Sequence, residues 1–116
     1  MQDWGTSNPF AYSHFLEAGF YVANSNHSDL ERAIEHYIAA IDEDPAFVPA
    51  HIGLARAASS LGSYSQQARN NELHALIDNA VKNVSRIDSQ HEALPEMRNY
   101  LLWLEAGSKT LMEQSL

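Results

Sequence analysis

The stretch from Asp29 to Pro45, Asp-Leu-Glu-Arg-Ala-Ile-Glu-His-Tyr-Ile-Ala-Ala-Ile-Asp-Glu-Asp-Pro, decides how the rest of the chain is interpreted. Its apolar residues recur at steps of three and four: Leu30, Ala33, Ile34, Tyr37, Ile38 and Ile41. This spacing predicts an amphipathic helix with a single apolar stripe. Ser28 and Glu31 have the spacing of a capping box, which predicts where this helix begins. Pro45 predicts its end, because proline has no N–H and holds the preceding Asp44 in extended geometry.

The length and composition indicate one folded domain rather than a disordered chain. The sequence has 116 residues, of which 45% are hydrophobic, enough for a modest core. Its 15 acidic and 7 basic residues give a net charge of −8, which opposes binding to nucleic acid or to an anionic membrane. A basic peptide or protein surface is the more natural partner. Cysteine is absent, which excludes disulfides and thiolate metal sites.

The chain shows no targeting or membrane signal. No apolar run approaches the roughly 20 residues of a membrane helix. The first residues, Met-Gln-Asp-Trp-Gly, have neither a basic region nor an apolar region, so no signal peptide is expected. Two compartments therefore stay open: the cytoplasm, or the periplasm if the chain belongs to a membrane-anchored regulator.

Helix signals also flank the opening stretch. Asn8 as cap and Pro9 as first residue predict a helix over about 9–23, after a polar lead-in of residues 1–8. Pro49 predicts the start of a third helix, which is rich in small residues and ends at Gly62.

The second half of the chain predicts two further helices. After the polar stretch 63–72, expected to be a loop or a poorly buried first turn, an apolar stripe recurs: Leu73, Leu76, Ile77, Ala80, Val81 and Val84. Pro95 predicts a fifth helix that stops at Ala106–Gly107, and residues 108–116 could add one or two turns. No segment alternates in the manner of a strand, so the prediction is an all-α fold of five or six helices.

A repeated pattern links these helices. The first unit has Phe15-x2-Ala18-Gly19-x2-Val22, followed by Ala33-x3-Tyr37, Ala40 and Pro45; the second has His51-x2-Leu54-Ala55-x2-Ala58, followed by Ile77-x3-Val81, Val84 and Ser89. In each unit the extra residues relative to a 34-residue period fall between helices, where a repeat tolerates them. A partial third unit aligns Gly107 with Gly62, which places Tyr100 and Trp103 at buried positions.

Over residues 9–107 this pattern resembles the tetratricopeptide repeat, with units at about 9–45, 46–89 and a partial 90–107. The motifs Asn8-Pro-Phe-Ala-Tyr12, Asp44-Pro45 and Leu61-Gly-Ser-Tyr64 resemble one version of it. That version lies C-terminal to winged-helix domains in bacterial one-component regulators, including CadC-like membrane-anchored ones, and beside some adenylyl cyclase domains. The resemblance implies an antiparallel helix-pair superhelix and a sensor or interaction domain of a larger regulator.

In this family the first helices of the pairs line a concave groove. The positions that would face it are Ser13, Leu16, Phe20, Ala23 and Asn24 in the first unit and Pro49, Ile52, Arg56, Ser59 and Ser60 in the second. Leu16 and Phe20 replace the basic and amide residues that clamp a peptide carboxylate in chaperone-cochaperone members. The resemblance therefore implies an apolar groove with one cation, suited to an amphipathic helix or apolar peptide. The alternative is that residues 1–8 or the tail cover Leu16 and Phe20.

No catalytic motif and no metal motif is present. The six histidines show no i,i+4 pairing and no HExxH, so no metal or other cofactor is predicted. The acidic Asp42–Asp44 helix end could dock a basic partner, but a solvated helix end is the simpler interpretation. Because no nucleophile elbow or phosphate-binding loop occurs, the chain is not expected to be an enzyme.

Two functions follow as expectations. The leading one is a non-catalytic interaction domain that binds a peptide or partner helix within a transcriptional or signalling regulator. The alternative is a small-molecule sensor with a pocket between Phe20, Arg56 and the third helix pair. Because two and a half repeats lie near the minimum for stability, an apolar set could cap the stack or join a second copy as a homodimer: Trp103, Leu104, Leu111 and Met112.

Overall fold

Five α-helices follow one another in the computed structural model, which describes residues 6–24, 26–62 and 67–114, with side chains described for 6–24, 26–62 and 71–105. The helices are α1 (Pro9–Asn24), α2 (His27–Glu43), α3 (Val48–Gly62), α4 (Gln67–Ile87) and α5 (Leu94–Gln114). Within these ranges no residue lies in a strand. The predicted all-α class is confirmed.

The helix starts show where local sequence signals succeeded and where they failed. Asn8 caps α1 as predicted, since its side-chain oxygen accepts from the N–H groups of Phe10 at 2.9 Å and Ala11 at 3.1 Å. The predicted capping box at Ser28 is wrong. Asn26 is the N-cap of α2, and its side chain accepts from the Asp29 N–H at 2.9 Å.

The end of α2 follows the prediction made from Pro45. The helix stops at Glu43, and Asp44 has extended geometry with φ −146° and ψ 92°. The Asp44 carboxylate accepts from the Ala46 N–H at 3.1 Å and from the Thr6 hydroxyl, while the Asn8 side chain donates to the Glu43 carbonyl. The acidic helix end therefore holds the chain that leads into α1.

Two predictions for α5 are wrong. Gly107 does not stop the helix, which continues to Gln114. Trp103 is not buried: it is 58% exposed, whereas Leu94, Met97 and Leu104 face the core. The buried stripe of α5 runs from Leu94 to Met97 and Leu104, in steps of three and seven residues. Trp103 comes one residue before Leu104 and therefore lies beside the stripe, not in it.

Consecutive helices pack against each other, and two further contacts join alternate helices. Beyond the successive pairs, α3 contacts α5, and α1 touches α3 over a short region. The molecule is elongated, with extents of 58 × 31 × 19 Å. Each apolar stripe predicted from the sequence supplies core residues, although Ile38 of α2 is 37% exposed.

The centre of the core is α3, which is buried on most sides. Eight of its residues are buried, and four of them are alanines that allow neighbouring helices to approach closely. Gly53 is needed for one of these approaches, because a Cβ there would overlap the Tyr37 ring of α2. His51 is buried as well, and its Nε2 donates to the Pro45 carbonyl at 2.8 Å. This histidine has a structural role in the α2–α3 connection.

Candidate functional site: a cleft between α1, α3 and the start of α5

A cleft of about 690 Å³ opens between α1, α3 and the α4–α5 turn. A volume of this size lies in the range of small-molecule and peptide side-chain pockets. The cleft is lined by Phe15, Val22, Tyr37, Pro49, Ile52, Gly53, Arg56, His91, Glu92, Ala93 and Glu96. Four of the five helices thus contribute, together with the turn that precedes α5.

The inner part of the cleft is aromatic and apolar. Phe15 of α1 packs edge-on against Phe47 at 5.2 Å between ring centroids and lies 6.0 Å from the Tyr37 ring. Phe47 is completely buried in the turn between α2 and α3, so its ring restricts the position of the Phe15 ring. Burial raises the pKa of Tyr37, and the positive charge of Arg56 partly opposes that rise. Tyr37 is therefore a neutral phenol at physiological pH.

The rim of the cleft is polar and joins α3 to α5. Arg56 donates to the Glu96 carboxylate at 3.0 Å, and the Tyr100 hydroxyl donates to the other oxygen of the same carboxylate. The hydrogen bond from Arg56 makes the largest contribution to lowering the pKa of Glu96, and the hydrogen bond from Tyr100 makes the next largest. The hydrogen bond to Glu96 also raises the pKa of Arg56. The pair is exposed to solvent, so it orients side chains more than it stabilises the fold.

The turn before α5 places two more polar residues at this rim. His91 accepts from the Ala93 N–H through Nδ1 at 3.1 Å, which satisfies a backbone donor at the start of α5. Glu92 follows it and is exposed. Because the rim has two carboxylates, Glu92 and Glu96, and one guanidinium, Arg56, these three side chains together have a net negative charge.

The structure divides the groove residues predicted from the sequence into three groups. Ile52 and Arg56 line the cleft, as does Pro49. Ser59 is buried in the core and does not line it. The residues expected on α1 do not line it either and are exposed: Ser13, Leu16, Phe20, Ala23 and Asn24. Helix α1 instead turns Phe15 and Val22 toward the cleft, so partner binding by the exposed α1 residues stays a prediction.

Leu16 and Phe20 still form an apolar surface, with exposed fractions of 53% and 68%. The described residues of the lead-in, 6–8, lie against the end of α2 through Thr6 and Asn8. They do not cover Leu16 or Phe20. Residues 1–5 and the side chains after 105, which were the other candidates for covering this surface, lie outside the described part of the chain.

The residues predicted for self-association differ in their exposure. Leu104 is 4% exposed and belongs to the core, where it would lie 2.6 Å from a Cβ placed on Gly62. Trp103 is exposed and remains available for a second copy, next to the equally exposed Leu102. The side chains of Leu111 and Met112 lie outside the described residues.

A second cluster of polar residues lies on another flank of α1. The Nδ1 atoms of His14 and His36 are 3.1 Å apart, and Nε2 of His36 lies 3.3 Å from a carboxylate oxygen of Glu17. One ligand atom from each of these three residues lies within 4.8 Å of the other two. Sequence spacing gave no sign of this cluster, since His14 and His36 meet only through the pairing of α1 with α2.

Comparison of the chain with protein-family models, with curated proteins and with solved structures finds no match. Among the described residues, no helix is both long enough and apolar enough to cross a lipid bilayer.

Proposed function

We propose that this chain is a non-catalytic interaction domain that binds a peptide or partner helix in the cleft between α1, α3 and the start of α5. The observation that carries the proposal is the cleft itself: an aromatic interior formed by Phe15 and Tyr37 with a charged rim at Arg56 and Glu96. Such a site can bury one apolar anchor of a peptide and orient its polar neighbours.

The order of helix contacts supports a helical-repeat interpretation. Helices α1 and α2 pair, α3 and α4 pair, and the first helix of each pair touches the first helix of the next element. The cleft includes three α3 positions that the tetratricopeptide resemblance assigns to a binding groove, Pro49, Ile52 and Arg56, whereas the α1 positions it assigns there lie outside the cleft. On this proposal the domain serves a larger regulator of the one-component type.

The charge of the rim favours a partner with a basic residue beside its apolar anchor. Glu92 and Glu96 outnumber Arg56, and the whole chain has a net charge of −8. A Lys or Arg placed one helical turn from the anchor would approach these carboxylates and increase the rate of association.

The experiment is selection from a library of helical peptides, followed by affinity measurement against matched variants. We expect Ile52→Gln in the cleft to weaken the selected peptides at least ~10-fold, since it places an amide at the apolar contact. Leu16→Gln, which makes the same kind of change on the outer side of α1, is the control and should leave affinity unchanged.

The reverse pattern, with loss in Leu16→Gln and none in Ile52→Gln, would transfer the binding site to the exposed face of α1. Failure to select any peptide that depends on the cleft would contradict the proposal.

The alternative, small-molecule sensing, is favoured by the cleft volume of about 690 Å³ and by the convergence of His91, Arg56 and Glu96 on it. A thermal-shift screen of metabolites separates the two functions. Stabilisation by a small molecule that is lost in Ile52→Gln, with no peptide selected, would establish the alternative.

A further inference from the structure

The cluster of His14, Glu17 and His36 lies apart from the cleft. Phe15 and Val22 turn one flank of α1 toward the cleft, whereas His14 and Glu17 lie on the flank that meets α2. The cluster is therefore not required by the proposed peptide site, and its chemistry needs a separate explanation.

The distance between the two imidazoles matches the edge of a metal coordination sphere. With zinc–nitrogen bonds of about 2.0–2.1 Å and a tetrahedral angle, two nitrogen ligands lie about 3.3 Å apart. The two Nδ1 atoms are separated by 3.1 Å. In the absence of a metal, one Nδ1 must donate a proton to the other; a metal ion would replace that proton and bind both lone pairs.

Glu17 favours the required form of His36. Its carboxylate lies 3.3 Å from Nε2 of His36, which favours the tautomer with the proton on Nε2 and leaves the Nδ1 lone pair available. Once a metal ion on Nδ1 fixes this tautomer, the exposed carboxylate can leave Nε2 and become an oxygen ligand, since one of its oxygens lies within 4.8 Å of a ligand nitrogen of each histidine.

The His36 ring is held in place by its neighbours. Tyr21 of α1 stacks on it with 5.5 Å between centroids and an interplanar angle of 11°. The guanidinium of Arg32 lies over the Tyr21 ring, 5.8 Å from its centroid. A fixed ring orientation lowers the entropic cost of binding a ligand, as it does in preorganised metal sites.

We propose that His14, Glu17 and His36 bind one divalent first-row transition-metal ion, with zinc as the probe. Two imidazole nitrogens and one carboxylate oxygen suit zinc and its neighbours in the series rather than magnesium or calcium, which prefer oxygen ligands. Three protein ligands leave a position for water. The ion links α1 to α2 and so stabilises this helix pair against separation.

The test is zinc titration of the chain without a histidine tag, at a pH above about 7, because metal ions bind the neutral form of imidazole. We expect one zinc ion per chain and a thermal midpoint that rises with zinc concentration, whereas magnesium produces neither effect. Nitrogen-15 NMR of the histidine rings should show zinc on Nδ1 of His14 and of His36.

Matched variants separate this site from adventitious binding. His14→Gln and His36→Gln should each lower zinc affinity by at least about 10-fold, and Glu17→Gln should lower it less than either. His74→Gln is the control, since His74 also contacts a carboxylate, Glu105 at 2.9 Å, but belongs to no cluster of metal-ligand side chains within the described part of the chain. It should change affinity by no more than about 2-fold.

Circular dichroism of each variant shows whether the helices are intact, so that loss of binding is not confused with loss of folding. Equal losses in all four variants, binding unaffected by His14→Gln and His36→Gln, or NMR changes confined to His27, His74 and His91 would each overturn the proposal. So would the absence of zinc binding to the folded wild-type chain.

Discussion

Helices α1 and α3 each pack against the helix that follows, α2 and α4 respectively, yet their burial differs sharply. In α3 eight residues are buried, and α2, α4 and α5 surround it. In α1 two residues, Ala11 and Ala18, are buried, while Phe10, Leu16 and Phe20 are exposed. Helix α3 contacts every other helix, whereas among the described residues α1 contacts α2 and a short part of α3, so one side of α1 faces solvent. The apolar residues on the outer side of α1 are therefore free for contacts outside this core.

The largest difference expected between α1 and α3 is in the free energy of unfolding that is lost when one leucine of each helix is replaced by alanine. Leu61→Ala in α3 removes a completely buried side chain and should cost about 2–5 kcal/mol, because it leaves a cavity in the core. Leu16→Ala in α1 should change stability by less than about 0.5 kcal/mol, since its side chain is half exposed. Urea unfolding followed by circular dichroism measures both values. Equal costs would show that the outer side of α1 is covered in solution.

The next contrast uses one glycine from each helix. Gly53→Ala adds a methyl group against the Tyr37 ring, and this overpacking, worth about 1–3 kcal/mol, should exceed the gain in helix propensity. Gly19→Ala has no heavy atom within 4 Å of the new Cβ, so it should stabilise α1 by up to about 1 kcal/mol. Thermal midpoints should shift in opposite directions. A stabilising Gly53→Ala would mean that the Tyr37 ring can swing into the cleft at little cost.

The smallest contrast concerns charge. Arg56 of α3 forms an ion pair with Glu96, whereas Phe20 of α1, which the repeat resemblance aligns with Arg56, is an exposed uncharged residue. Arg56→Gln should return the pKa of Glu96 upward toward its ordinary value and should cost no more than about 1 kcal/mol near neutral pH, since the pair is exposed. NMR titration of the Glu96 carboxyl measures the first effect.

The pH dependence gives the sign of that stabilisation. Because the folded-state pKa of Glu96 is lowered, its contribution is present above the unfolded pKa of about 4.3 and is lost as the pH falls below it. The difference in stability between wild type and Arg56→Gln should therefore shrink from pH 6 to pH 3. A difference that is unchanged over this range would show that Arg56 acts through packing of its aliphatic stem instead.

Helix identity was predictable from residues close in the chain. The stripe from Leu30 to Ile41, the Asn8–Pro9 start, the Pro45 stop and the Gly62 stop all depend on contacts within a few residues, and the structure contains the corresponding helices. The prediction that Ser28 caps α2 was wrong because Asn26, two residues earlier, is also a residue type that caps helices well, and the helix begins after it. The prediction that α5 ends at Gly107 was wrong because a glycine lowers the stability of a helix without necessarily ending it.

The candidate sites depended on longer-range information. The predicted groove set contains Ile52 and Arg56, which line the cleft, and Leu16 and Phe20, which do not. Spacing along the chain assigned all four to one groove because it carries no information on how α1 is rotated relative to α3. The polar half of the cleft comes from the α4–α5 turn, with His91 and Glu92, about 40 residues beyond Ile52. No local pattern indicates that these residues meet.

The amino-acid sequence alone determined that this chain is all-α and where most of its helices begin and end, since helix periodicity and end signals act over three to eight residues. Only the tertiary structure decided which sides of those helices are covered. It brought Glu96 to Arg56 and His36 to His14, pairs separated by 40 and 22 residues. Those meetings follow from the rotation and packing of whole helices, and it is there that both the cleft and the histidine cluster arise.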